Sequence, residues 1–184
     1  MPNQESDDLS LIQQTLSGNQ DAFGQLVNRY SSALSAFAYD RLGNVHEAQD
    51  AVQETFVTAF QRLGELRDHS RFAGWLYEIL RNLCAMRIRR KGVENRSQQH
   101  LAQMRAGIAP LNAIEKLESE ERKTALRKAV EELSPPLREA VILRFIGGVG
   151  RKQAAHMLEI SLPALDKRMF RAMNKLRDKM NGVE

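Results

Sequence analysis

The sequence predicts an all-α protein of two small helical domains joined by a flexible linker, the C-terminal one containing a helix-turn-helix. Three observations carry this. Apolar residues recur at helical spacing from near Asp8 to Arg90, and again from about Ala113 to Met180. Alternating Val/Ile/Thr-rich runs, the mark of strands, are nearly absent. Between the two periodic stretches, residues 92–112 lose the pattern and gain Gly, Gln, Asn, Ser and Pro110, as a linker does. The boundaries that follow are 8–91, 92–112 and 113–181, in a chain of 184 residues with 42% hydrophobic and 27% charged side chains. Units of about 80 residues bury limited cores. A partner docked on them would therefore add stability by mass action.

The elements follow in order. Phe23, Leu26, Val27, Tyr30, Leu34 and Phe37 keep the i, i+3, i+4 rule and set the inner face of a long helix. Gly43-Asn44 breaks it, and the next helix runs over about 45–63. A turn-like stretch, 64–70, precedes a helix over about 71–90. Inside the linker, residues 98–105 carry a weak helical pattern. The pattern resumes over about 113–133, and Ser134-Pro135-Pro136 then reads as a helix start, with Ser as N-cap and Pro in the first turn. Gly147-Gly148 ends that helix. Two more are expected over about 151–158 and 162–180, separated by Glu159-Ile160-Ser161.

Charge is distributed unevenly. The net charge is +4, yet residues 1–92 hold 10 Lys and Arg against 11 Asp and Glu, and 93–120 hold 3 against 4. Residues 121–184 hold 14 against 8, so the whole excess lies in the last third. That asymmetry points to an anion-binding C-terminal module, with nucleic acid the usual ligand. Enzyme classes find no support. Cys84 is the single cysteine, and His46, His69, His100 and His156 are scattered without metal-ligand spacing. Phosphate-loop, nucleophile-elbow and HExxH patterns are missing. The expectation is no catalytic residue, no metal and no cofactor. With no leader pattern and no run of about 18 apolar residues, the expected protein is soluble, cytoplasmic and not inserted in a membrane.

Two helices joined by a three-residue turn outline a helix-turn-helix. Ser161 suits the cap of its second helix, and Leu165, Met169, Ala172, Met173 and Leu176 form the expected core stripe. Ala164, Lys167, Arg168 and Arg171 share another face: a small residue that permits close approach, then three cations. Arginine grips guanine or phosphate bidentately, worth about 1–3 kcal/mol of discrimination per good base contact. A solvated basic face on a bundle helix has the same pattern, and Glu159 and Asp166 oppose DNA locally.

The helix over 45–63 has two faces. Val45, Ala48, Val52, Thr55, Phe56, Ala59 and Leu63 line one side. Asp50, Gln53, Glu54 and Val57 cluster opposite, a pattern that fits either a basic protein partner with apolar spots or plain solvent. In the next helix Phe72, Trp75, Leu76, Ile79, Leu80 and Leu83 form a stripe, with Arg81, Ala85 and Arg89 on another side and Arg87, Arg90 and Lys91 at the end. Arg67, Asp68, Ser70, Arg71 and Phe72 set polar groups beside an aromatic ring, as a site for an unstacked base requires. Phe72 and Trp75, as aromatic rings on a helical stripe, are more often core residues than base platforms. Cys84 fits a small buried hydrophobe better than a redox sensor.

Several separate motifs resemble one family. Asp21-Ala22-Phe23 with Leu26-Val27 and Tyr30, then Glu47-Ala48-Gln49-Asp50-Ala51-Val52-Gln53-Glu54-Thr55-Phe56, are similar to the N-terminal domain of extracytoplasmic-function sigma factors. Phe72-Ala73-Gly74-Trp75-Leu76-Tyr77-Glu78-Ile79 with Arg81-Asn82 continue the match. So do Leu133-Ser134-Pro135, Arg138-Glu139-Ala140-Val141, Ala155-His156-Met157-Leu158-Glu159-Ile160-Ser161 and Arg168 with Arg171-Ala172. The resemblance covers about 9–91 and 113–180, and short domains suit this group better than primary sigma factors.

It implies a promoter-specificity subunit that binds bacterial core RNA polymerase and promoter DNA and has no catalysis of its own. Asp50, Gln53, Glu54 and Val57 would dock on the clamp helices of the largest polymerase subunit. Arg67, Asp68, Ser70, Arg71 and Phe72, with Arg81, Asn82 and Arg89, would recognise and open the −10 element. Ser161, Ala164, Lys167, Arg168, Phe170 and Arg171 would read the −35 element. An anti-sigma factor is expected as a further partner. The two elements lie almost two DNA turns apart, roughly 60 Å, and twenty extended residues reach about 70 Å. A stand-alone helix-turn-helix regulator is the alternative, in which the acidic face of 45–63 is dispensable. Departures from the family pattern are Met86 for an Asp, Gly150-Arg151-Lys152-Gln153-Ala154 for a Ser- and acid-bearing stretch, Pro163 for a Gly and Asp166 for a basic residue. These imply altered promoter preference.

Overall fold

The computed structural model describes residues 4–97 and 120–181, so the weak helical pattern at 98–105 and the expected restart at 113 lie outside the described residues. Among the described residues all regular structure is helical. The first domain comprises α1 (Gln4–Leu16), α2 (Gln20–Leu42), α3 (Val45–Arg62) and α4 (Phe72–Ser97), and the second α5 (Glu120–Glu131), α6 (Pro135–Val141), α7 (Arg151–Met157) and α8 (Leu162–Met180). Local chemistry sets the ends. Asn19 and Asn44 cap α2 and α3, each side chain accepting a backbone N–H bond of 3.1 Å. Gly43, at φ 68°, closes α2 by donating its N–H to the Tyr39 carbonyl, a left-handed cap that suits glycine. Asp8 ties α1 to α2 by accepting from the Tyr30 hydroxyl and the Arg29 guanidinium.

Three expectations are corrected, and the expected helix end at Gly147-Gly148 gains a detail. The last helix of the first domain runs to Ser97, beyond the expected helix end near 90, because Gly92 alone does not break a helix. Ser134 makes no side-chain cap bond, and Pro135 in the first turn carries the start of α6. The helix before Gly147 ends in a π-helical turn, Ile142–Ile146, from which the Gly147 N–H reaches back to the Ile142 carbonyl at 2.8 Å. Val45 and Met173, placed in core stripes by periodicity, are 47% and 41% exposed, lying at a helix start and on the rim of a narrow seam.

The largest difference from the sequence reading is a core shared by both domains. One continuous cluster takes Leu26, Tyr30, Leu34, Phe37, Leu76 and Leu80 from the first domain and Leu143, Val149, Ala155, Met157 and Leu165 from the second. The π-helical turn lies against α2, and α7 against α4. Two glycines permit this approach. A Cβ at Gly147 would fall 2.8 Å from the Ala33 Cα, and one at Gly74 would fall 2.9 Å from the Glu159 side chain and 3.1 Å from the His156 carbonyl. Ion pairs ring the contact: Arg138 Nε to Asp40 at 2.7 Å, Arg41 to Glu139 at 2.6 Å, and Arg71 to Glu159.

Two groups in this frame have testable titrations. Burial raises the Asp40 carboxyl above its ordinary 3.8, against the pull of the Arg138 hydrogen bond and charge. The folded state then holds this proton more tightly than the unfolded state. Stability from Asp40 is full below 3.8 and is lost as pH rises through the raised value. A carbon-13 titration should place its midpoint above 3.8, and wild-type stability relative to Asp40→Asn should fall as pH rises through that range. A midpoint at or below the ordinary value would overturn this. Cys84 is buried on α4, and burial pushes its thiol up to about 11. At pH 8 only about 0.1% is thiolate, so iodoacetamide should modify it at the rate of unfolding. Rapid alkylation of the folded protein would be incompatible with this burial.

Candidate nucleic-acid interface

The helix-turn-helix consists of α7, the turn to Ser161 and α8. Ser161 caps α8, its Oγ accepting the Ala164 N–H at 3.3 Å. Leu165, Ala172 and Leu176 anchor the inner face, and Met169 is half-buried against the core. This places Lys167 and Arg171 in solvent, with Ala164 and Arg168 half-exposed beside them. Among the described residues Phe170, at 69%, is the most exposed of the large hydrophobic side chains. In the turn, Glu159 adopts φ 51°, a left-handed conformation that costs a non-glycine residue about 1–2 kcal/mol. Its N–H donates to the His156 carbonyl at 3.1 Å. Asp166 is clamped across the motif by Arg151, Nε to Oδ1 at 3.0 Å and Nη2 to Oδ2 at 2.5 Å.

On α3, Ala48, Ala51, Val52, Thr55, Phe56 and Ala59 face inward. Thr55 is accommodated because its hydroxyl donates to the Ala51 carbonyl at 2.7 Å. Asp50, Gln53, Glu54 and Val57 are brought together on the outer side, all exposed. Val57 is 50% exposed, and Phe60, which sequence reasoning missed, extends the apolar spot at 43%. The Phe60 ring packs edge-on against Phe23 with 5.0 Å between centroids, leaving its other side open. Cations of α4 border this face: Arg87 binds Glu54 at 2.7 Å and the Glu47 carbonyl at 3.2 Å, and Lys91 binds Glu47 at 2.6 Å. Arg87 and Lys91 therefore hold α4 against α3, while Arg81, Asn82 and Arg89 stand exposed.

The segment before α4 is a polar turn. Asp68 accepts from the Ser70 N–H at 3.0 Å and from its hydroxyl at 2.6 Å, and these bonds hold the Asp68 carboxyl below its ordinary value. Arg67, Asp68, Ser70 and Arg71 are exposed. Phe72 is not: at 1% exposure its ring lies among Tyr30 and Trp75, at centroid distances of 5.7 and 6.1 Å. Its expected role as a stacking surface is corrected accordingly, since a ring buried on both sides supports the turn from below and offers no face to a base. Arg71 is held by Glu159 of the other domain. This pair, 88 residues apart, carries no local sequence signal.

Comparisons with known proteins identify the family. The chain matches the family model described as Sigma-70 region 2 over residues 26–93 and that described as Sigma-70, region 4 over 123–176. It is 32% identical over 181 residues to RNA polymerase sigma factor CnrH of Cupriavidus metallidurans, covering 95% of this chain and 94% of that one. It is 27% identical over 182 residues to ECF RNA polymerase sigma factor SigW of Bacillus subtilis, covering 94% and 96%. The fold is similar to that of CnrH in complex with the cytosolic domain of CnrY, at 27% identity and a TM-score of 0.64 over 97% of this chain and 99% of that one. It is also similar to sigma factor RpoE in complex with the anti-sigma factor NepR from Bartonella quintana, at 28% identity and 0.60 over 86% and 96%. The region 2 match sets aside the stand-alone regulator, which would need only the helix-turn-helix. The chain belongs to the extracytoplasmic-function group of sigma-70 factors, which direct promoter-specific initiation of transcription.

Proposed function

We propose that three exposed faces divide the work of initiation. Asp50, Gln53, Glu54 and Val57, extended by Phe60, dock on the clamp helices of core RNA polymerase. Arg67, Asp68, Ser70 and Arg71, with Arg81, Asn82 and Arg89, capture unstacked bases of the −10 element, and Phe72 fixes the turn beneath them. Lys167, Arg168, Phe170 and Arg171, with Ala164 at close approach and Ser161 capping, read the −35 duplex. The chain contributes binding and the polymerase the nucleotidyl transfer, so its place of action is the cytoplasm. An anti-sigma factor is a fitting further partner, as in the structures of CnrH with CnrY and of RpoE with NepR.

The observation that carries this reading is the segregation of one acidic-apolar face on α3 from two basic faces on α4 and α8, each resting on its own buried stripe. The contact between Arg71 and Glu159 adds a condition. Elements roughly 60 Å apart cannot be engaged by two modules in direct contact, so the domains part when polymerase binds. Opening removes the Glu159 carboxylate from Arg71 and frees that cation for DNA.

The test is a reconstitution with purified core polymerase and promoter DNA, following strand opening by permanganate reactivity of unpaired thymines. The wild type should open cognate promoters. Arg168→Ala with Arg171→Ala should cut promoter binding at least about 30-fold, two contacts being worth roughly 1–3 kcal/mol each, while core binding stays unchanged. Full promoter selectivity in that double variant would place −35 reading elsewhere.

A further inference from the structure

We infer that Arg151, oriented by Asp166, is a DNA-contacting residue of the helix-turn-helix and that the pair delivers a cation from α7 to the edge of the reading helix. This rests on the proposed reading of α8 as the −35 helix. A carboxylate on that helix is otherwise unfavourable, since the groove is walled by phosphates. The structure resolves the conflict through the two bonds from Arg151 to Asp166.

Stability does not account for the pair. The side chains are 57% and 44% exposed, and exposed ion pairs contribute little to folding. Geometry gives it another use. A guanidinium carries five N–H donors in a planar fork, and here the Nε/Nη2 edge is taken by the carboxylate. The Nη1/Nη2 edge keeps its donors, and the plane of the fork is fixed before any ligand arrives. An arginine so held loses less side-chain freedom on binding than a free one. Its ligand is a pair of oxygen or nitrogen acceptors on DNA, either guanine O6 and N7 or phosphate oxygens. Exposed Lys152 adds charge beside it. The departures of Arg151 and Asp166 from the family pattern thereby become one linked change, in which the acid positions a cation supplied by the neighbouring helix.

The experiment assembles the full chain with core polymerase and measures binding to promoter duplexes randomised in the −35 element, at several salt concentrations. Arg151→Ala should weaken binding about 5- to 20-fold. A guanine contact relaxes preference at one base pair, whereas a phosphate contact weakens all sequences alike and lowers the salt slope by about one. Asp166→Ala should show a smaller loss of the same kind, and the double variant should be no weaker than Arg151→Ala. Arg151→Lys should not restore the loss, because an ammonium cannot bind carboxylate and DNA through two planar edges. If Arg171→Ala weakens binding and Arg151→Ala does not, this inference fails and the reading of α8 stands. If neither has an effect, the reading of α8 fails first. An equal gain in affinity from Asp166→Ala with or without Arg151 would make Asp166 a mere opposing charge and overturn its positioning role.

Discussion

Glu54→Lys should weaken binding of the purified protein to core RNA polymerase about 100-fold while leaving it folded. Glu54 lies in the middle of the exposed α3 face, with its side chain 46% exposed and Asp50, Gln53 and Val57 around it. Placing like charges together across an interface costs several kcal/mol, and about 2.7 kcal/mol is a hundredfold. The fold should tolerate the change. Arg87 loses one partner but keeps the Glu47 carbonyl, and a pair this exposed contributes at most about 1 kcal/mol. Glu54→Gln should lose roughly tenfold, because the amide still accepts a hydrogen bond but carries no charge. The measurement is a titration of labelled core polymerase beside a thermal melt. A folded variant that binds like the wild type would move the docking face off α3.

How far the sequence led depends on the range of the interaction. Features set within one turn of helix were legible. The Gly43-Asn44 break lies where α2 ends and α3 begins, and the expected span of α8 coincides with Leu162–Met180, because caps and 3.6-residue periodicity are local. The acidic face of α3 and the basic face of α8 were legible for the same reason, since opposite sides of a helix follow from spacing alone. Periodicity was less able to say how wide a buried stripe is. It placed Val45 and Met173 inside, where the structure leaves them exposed, and left Phe72 between two roles that only its neighbours Tyr30 and Trp75 decide. The domain contact had no local trace at all. Asp40 with Arg138 and Arg41 with Glu139 each join residues 98 apart, and the glycines at 74 and 147 are meaningful only once the opposing backbone is in place. The π-helical turn belongs with these, since its wider ring sets Leu143 into the shared core.

Arg138→Ala is the change expected to alter the behaviour of the whole molecule most. Its guanidinium pairs with Asp40, whose side chain is 9% exposed, while that of Arg138 is 23% exposed. Removing one partner of a buried pair leaves an uncompensated charge and costs 3–5 kcal/mol, here about 3 because the arginine is partly in water. In a single rigid core that cost would appear as lost stability. In this chain the charge has a cheaper escape, since separating the domains returns the Asp40 carboxylate to solvent without unfolding either one. The variant should therefore show a larger hydrodynamic radius by small-angle scattering and a nearly unchanged melt of α1–α4. Polymerase that binds the open form should also take it more tightly, because apparent affinity scales with the populated fraction of the competent state. The ceiling is about 100-fold, from the same 3 kcal/mol. Asp40→Ala is the control, since it removes the buried charge itself and should open the molecule less. Arg138→Ala that stays compact and melts early would show that the two domains form one inseparable unit, and the parting required for promoter engagement would then have no basis in this interface.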